Sequence, residues 1–185
     1  MFQSKQHVAL IEQLTRVDIK RRKLLEDVSC FSRTELLAKA DASTWSVLEI
    51  IEHLVLAENE VLGDLANPQQ RSPLGESKWL PYTIVLIVLR FRIPVRAPSL
   101  RMLPTGLRSL ADLSHEWDRH HSQLRAFVTT LKPDDLRRTW FRHPVAGALT
   151  VAQSLQMLEA HLDTHIAQVK RASGQKSARQ VSPTL

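Results

Sequence analysis

His161 and His165 stand four positions apart on a strongly helical stretch, and His53 lies on an earlier stretch of similar character. A helical turn takes about 3.6 residues, so positions i and i+4 share a face with Cβ atoms about 5 to 6 Å apart, chelating distance for two imidazoles. The three rings together read as one metal site. A third nitrogen arriving from a neighbouring helix completes three protein ligands and leaves a coordination position for water or substrate, as in catalytic rather than structural zinc-type centres. The HxxxH spacing is not specific by itself, and Leu162 follows His161 where HExxH needs a glutamate. The plainer alternative is a pair of polar imidazoles hydrogen-bonded at the edge of a bundle.

Positioning these rings requires long helices, and four are legible. The first runs from about Gln3 to Val28, with Leu10, Leu14, Val17, Leu24 and Val28 recurring at threes, fours and sevens. Ser32 and Glu35 form a capping box opening a short helix. The second long helix starts at Ser46, boxed with Glu49, and ends before Asn67-Pro68. His53 sits at the edge of its inward stripe of Val47, Ile50, Leu54, Ala57, Val61 and Leu65. Prolines punctuate the chain from Pro68 to Pro104, with Thr83 to Phe91 read as a buried helix. The third helix spans about Thr105 to Thr130, its inner face running from Leu107 and Leu110 through Trp117, His121 and Leu124. After a turn at Pro133 to Arg137, the fourth begins behind Gly147 with Thr150 and Gln153 as its box. Leu155, Leu158, Leu162 and Val169 form its stripe, and it is expected to stop near Gly174.

A chain of 185 residues builds one core without disulfides or structural metal, so a bound metal would be functional. One domain is expected over residues 1–173, with 174–185 a polar, disordered tail. Only five glycines and abundant Leu, Ala, Glu, Lys, Arg and Gln indicate an all-α fold. The single cysteine, Cys30, cannot form an internal bridge and reads as a small buried residue in a reducing cytoplasm. Met1 to His7 shows no secretory signal, and the longest apolar run, Ile84 to Leu89, is far short of the roughly 20 residues that span a bilayer. Trp45, Trp117 and Trp140 are expected to anchor the core or a pocket rim. His121 reads as a satisfied interior residue, with pocket lining or a fourth-ligand role as its alternative. His115, His120 and His143 are expected on the surface or in loops.

Four amphipathic helices make a bundle the natural architecture, and bundle interiors are where facing helices converge on a metal. The pattern resembles the DinB/YfiT-like superfamily of metalloenzymes over about residues 5 to 172. The likeness rests on Trp45-Ser46-Val47-Leu48-Glu49-Ile50-Ile51-Glu52-His53-Leu54 with Ala57-Glu58, on His143-Pro144 with Gly147-Ala148-Leu149-Thr150, and on His161-Leu162-Asp163-Thr164-His165-Ile166-Ala167-Gln168. The resemblance implies a four-helix bundle with a long crossover, often dimeric, holding nickel or zinc through one histidine of the second helix and two residues of the last. By that likeness His53, His161 and His165 are the metal ligands, nitrogen in all three places where some relatives use a carboxylate.

The resemblance also implies two chemistries. One is S-transfer or isomerisation using a low-molecular-weight thiol such as bacillithiol or mycothiol, whose thiolate a divalent cation stabilises. The other is hydrolysis by metal-activated water. Thiol transfer is slightly favoured, because a hydrolase needs a general base and the candidates Glu52, Glu58 and Asp163 read better as surface or ligand-supporting groups. The rival class is a non-enzymatic module that binds metal or nucleic acid. The net charge is +6, and Lys78, Arg90, Arg92, Arg96, Arg101 and Arg108 lie between Glu76 and Asp112 with no acidic residue among them. No zinc-finger, RNA-binding or helix-turn-helix pattern accompanies these cations, so nucleic acid is not favoured. A basic mouth for an anionic substrate or a solubilising surface explains them as well. Peripheral membrane attachment through Thr83 to Arg92 is a further alternative, and that run reads better as bundle packing.

Overall fold

The computed structural model describes residues 5–66, 77–93 and 100–180, the side chains of 64–66 and 174–180 excepted. Its frame is four long helices: α1 (Lys5–Ser29), α3 (Val47–Ala66), α5 (Leu110–Thr130) and α6 (Val151–Gln180). Two shorter helices, α2 (Arg33–Leu37) and α4 (Trp79–Arg90), lie in the connections. α1 packs against α5 and α6, and α3 packs against the same two. The long crossover from α3 to α5 carries α4 onto the flank of α6.

Local chemistry explains where the helices begin. The Ser32 hydroxyl accepts from the Glu35 amide while the Glu35 carboxylate accepts from the Ser32 amide at 2.7 Å. Ser46 and Glu49 repeat the device ahead of α3, at 3.2 and 2.8 Å. Thr150 and Gln153 repeat it ahead of α6, at 2.9 and 3.3 Å. Each box satisfies two amides that the first helical turn leaves without partners.

α3 is the central element. Val47, Leu48, Ile50, Ile51, Leu54 and Val55 are all buried, so this helix is covered on nearly every side. Each such aliphatic side chain contributes about 1.5 to 3 kcal/mol by leaving water. From α6, Leu155, Leu158, Leu162 and Val169 enter the same core.

The structure corrects several expectations. α5 begins at Leu110, capped by the Ser109 hydroxyl accepting from the Asp112 amide at 3.1 Å. Leu107 therefore precedes the helix and is exposed rather than inward-facing. α6 runs on past the expected stop at Gly174 to Gln180, and residues 181–185 lie outside the described residues. Thr83 to Arg90 is helical, with Phe91 as its C-cap, but not buried; in α4 only Tyr82 is buried. His120 is buried and Cys30 is exposed, each the reverse of its expectation. A hairpin of β1 (Thr139–His143) and β2 (Gly147–Thr150) also interrupts the helical pattern. Its register pairs Phe141 with Leu149 and His143 with Gly147. Gly147 turns the chain at φ +78°, a left-handed conformation that glycine adopts without a Cβ penalty. No helix among the described residues is long and apolar enough to cross a membrane.

Candidate metal centre

α3 and α6 meet so that His53, His161 and His165 form one cluster, each offering a ring nitrogen within 4.8 Å of the others. The His161 Nε2 lies 3.1 Å from the His53 Nε2 and 3.1 Å from the His165 Nε2. The rings stand edge to face, with centroids 4.6 to 5.1 Å apart. Two of the ligand positions come from one turn of α6, and the third crosses from α3.

The opposite edge of each outer ring is held. The His53 Nδ1–H donates to the Met102 carbonyl at 2.8 Å, and the His165 Nδ1–H donates to the Gln168 amide oxygen at 2.9 Å. A neutral imidazole carries one proton, so these bonds place it on Nδ1 and leave the Nε2 lone pairs directed inward. This is how metal-binding histidines are usually oriented by a second partner. The 3.1 Å separations lie close to the roughly 3.3 Å between two nitrogens that each sit about 2.05 Å from a tetrahedral cation. The donor set therefore fits a divalent metal.

Burial favours the uncharged form of all three rings. Burial pushes the His53 ring below its usual range against the opposing Met102 bond. Burial, then the nearby His53 charge, lowers His165 to about 4. His161 falls well below 6.5, first through burial and then through the charges of His165, His53 and His143. Neutral imidazoles are the form that binds metal.

The supporting contacts come from the crossover. Glu52, next to His53, accepts from the Thr105 amide at 2.9 Å, the Gly106 amide at 2.7 Å and the Thr105 hydroxyl at 2.9 Å. Those three bonds tie the segment after Met102 to α3, which keeps the Met102 carbonyl on His53. Gly106 has φ +70°, and a Cβ there would meet the Glu49 side chain at 3.4 Å. Trp45 closes one side, its ring 4.7 Å from His53 and 6.3 Å from His165. His143 is half-buried at the end of β1, its Nδ1 accepting from the Val145 and Ala146 amides at 3.1 and 3.0 Å.

The remaining candidates lie apart from the cluster. Glu58 is buried and accepts from the Trp117 indole N–H at 2.7 Å. Burial pushes its carboxyl up to about 7, with Trp117 and Arg21 opposing. His121 lies between Glu58 and Asp18, at 3.9 and 3.8 Å, and neither ring nitrogen has a hydrogen-bond partner among the described residues. It is interior as expected but not satisfied as expected, and it takes no place beside the three-histidine cluster. Asp163 is exposed and paired with Lys20 at 2.8 Å. Arg108 pairs with Glu116, and Arg96 lies outside the described residues. Sequence reasoning missed Met102 and Gln168. Gln168 follows His165 by three positions on one helical face, a legible signal, whereas Met102 is 49 positions from His53 and carries none.

A model of the DinB superfamily matches residues 16–169. The uncharacterized protein YuaE of Bacillus subtilis (strain 168) is 27% identical over 139 residues, covering 75% of this chain and 83% of that protein. Among solved structures, YfiT from Bacillus subtilis is similar with a TM-score of 0.60 and 17% identity, covering 96% of this chain and 91% of that one. YfiT is described as a probable metal-dependent hydrolase with an unusual four-helix bundle topology.

Proposed function

The chain belongs to the DinB superfamily, and from that premise we propose that it is a divalent-metal-dependent enzyme acting on a small molecule, with His53, His161 and His165 holding zinc or nickel. The observation that carries the reading is the convergence of three Nε2 atoms, two of them with lone pairs aimed inward by Met102 and Gln168. When bound, such a cation favours the thiolate of a coordinated thiol or lowers the pKa of coordinated water.

The chemistry we favour is S-transfer or isomerisation with a low-molecular-weight thiol as cosubstrate. Its support is the state of the nearby carboxylates. Glu52 spends both oxygens on the crossover, Glu58 is held by Trp117, and Asp163 is paired with Lys20 at the surface. None of these three candidates stands ready as the general base that water attack requires, whereas a thiol brings its own nucleophile. The chain's part is to hold the three rings neutral and oriented and to wall the site with Trp45. A cytoplasmic homodimer is the working form that goes with this reading. Hydrolysis is the second reading, favoured by the likeness to YfiT.

Metal analysis of protein purified without a histidine tag, beside the His161→Ala variant, tests the site. Stoichiometric metal in the parent and its loss in the variant are expected; a metal-free parent overturns the proposal. Turnover of an electrophile that requires added thiol, set against cleavage of ester and amide panels without thiol, separates the two chemistries.

A further inference from the structure

α4 is apolar on two sides, and the fold uses one of them. Its inner side rests on the core through Tyr82, Val85, Leu86 and Leu89. It is fastened by the Tyr82 hydroxyl donating to Gln156 at 2.6 Å and the Thr164 hydroxyl donating to the Leu89 carbonyl at 2.9 Å. The outer side presents Leu80, Ile84, Ile87 and Phe91, which are 54%, 50%, 46% and 73% exposed. Spacings of four, three and four put these residues on one line about 16 Å long. Trp79, 72% exposed, lies beside its first turn. A continuous apolar ridge of this kind marks an interaction surface rather than chance exposure.

Charge identifies the partner. Lys78 at the start of the ridge and Arg90 and Arg92 at its end are exposed and make no ion pair among the described residues. No acidic residue occurs between Glu76 and Asp112. Across the groove beside Arg90 and Arg92, Glu159 and Asp163 are already paired with Lys20. A second copy of this chain packed ridge to ridge about a two-fold axis would set these cations against one another. Anionic lipid supplies both complements, a fluid apolar layer for the ridge and phosphates for the cations. We propose that α4 docks the protein on an anionic membrane surface, laying Leu80, Ile84, Ile87 and Phe91 into the interface with Lys78, Arg90 and Arg92 among the headgroups. This inference does not depend on the metal reading.

The test is co-sedimentation of the full chain with vesicles of phosphatidylcholine alone and of phosphatidylcholine mixed with phosphatidylglycerol. Binding to the anionic vesicles, weakened by added salt and accompanied by a blue shift of tryptophan emission that Trp79→Phe lacks, is expected. The double variants Ile84→Ser/Ile87→Ser and Arg90→Gln/Arg92→Gln should each weaken binding by about tenfold or more. Both alter exposed positions, so circular dichroism should report an unchanged helical fold. Failure to bind anionic vesicles, or binding that neither variant weakens, overturns the proposal. So does lipid-free self-association that Ile84→Ser/Ile87→Ser abolishes, because it would assign the ridge to a second copy.

Discussion

The Nε2 atoms of His53 and His161 lie 3.1 Å apart although the two residues belong to different long helices, α3 and α6. His161 is also 3.1 Å from the His165 Nε2, which makes it the hub of the cluster. His161→Ala is therefore expected to retain no stoichiometric metal while keeping its helical circular dichroism, since the core does not depend on that ring. Metal bound at parent levels by the variant would show that the cation sits elsewhere.

Glu52 acts on the site through the backbone of the crossover. Glu52→Ala removes the acceptor shared by the Thr105 and Gly106 amides together with that of the Thr105 hydroxyl. The crossover loosens and the Met102 carbonyl leaves the His53 Nδ1. Loss of such an orienting contact typically costs 10- to 100-fold in metal affinity. A chelator-competition titration should find a loss of that order, with thermal unfolding still cooperative.

Glu58 and His121 predict opposing pH dependences. Burial raises the folded-state carboxyl of Glu58 from 4.5 to about 7, so between those values the native protein keeps a proton that the unfolded chain has released. Stability from this group is full below 4.5 and falls as pH rises toward 7. Burial lowers His121 from 6.5 to about 4, with Asp18 opposing and Arg21, Arg125 and Arg22 adding to the fall. Its contribution is present above 6.5 and is lost as pH drops toward 4. Glu58→Gln removes the first effect alone. Its urea midpoint, minus that of the parent, should rise with pH from about 4.5 to 7; a flat difference would show that the carboxyl titrates at its ordinary value.

Ser46 tests the start of the central helix. Ser46→Ala deletes the acceptor of the Glu49 amide at the head of α3. An N-cap of this type is worth about 1 kcal/mol, so Tm should drop by roughly 2 to 4 °C. The Ser32→Ala change at the short helix α2, which lies outside the four-helix frame, should lower Tm by less.

Features with local causes were legible in the residues. The boxes at Ser32, Ser46 and Thr150 are patterns spanning four residues, and the stripes of α1 and α6 follow from a period of 3.6. The hairpin was not legible, because Thr139 to His143 is a short run whose pairing partner begins only at Gly147. Trp140, Phe141 and a glycine at the turn were its available signals. The exposure of α4 was also hidden. Ile, Val and Leu on both sides of a helix suggest burial on both, and only the position of α4 on the outside of α6 leaves one side uncovered.

The sequence by itself determined the four long helices, the capping boxes at Ser32, Ser46 and Thr150, and that His161 and His165 share a face, since all of these arise within a few residues of chain. Tertiary structure alone decided that His53 meets that pair, that Met102 fixes its ring, that His120 goes inside and Cys30 outside, and which apolar face of α4 stays open. Helical period sets the direction of a side chain relative to its own axis. How two axes are rotated and offset against each other is set by packing of the whole core, and that information is spread over every contact at once.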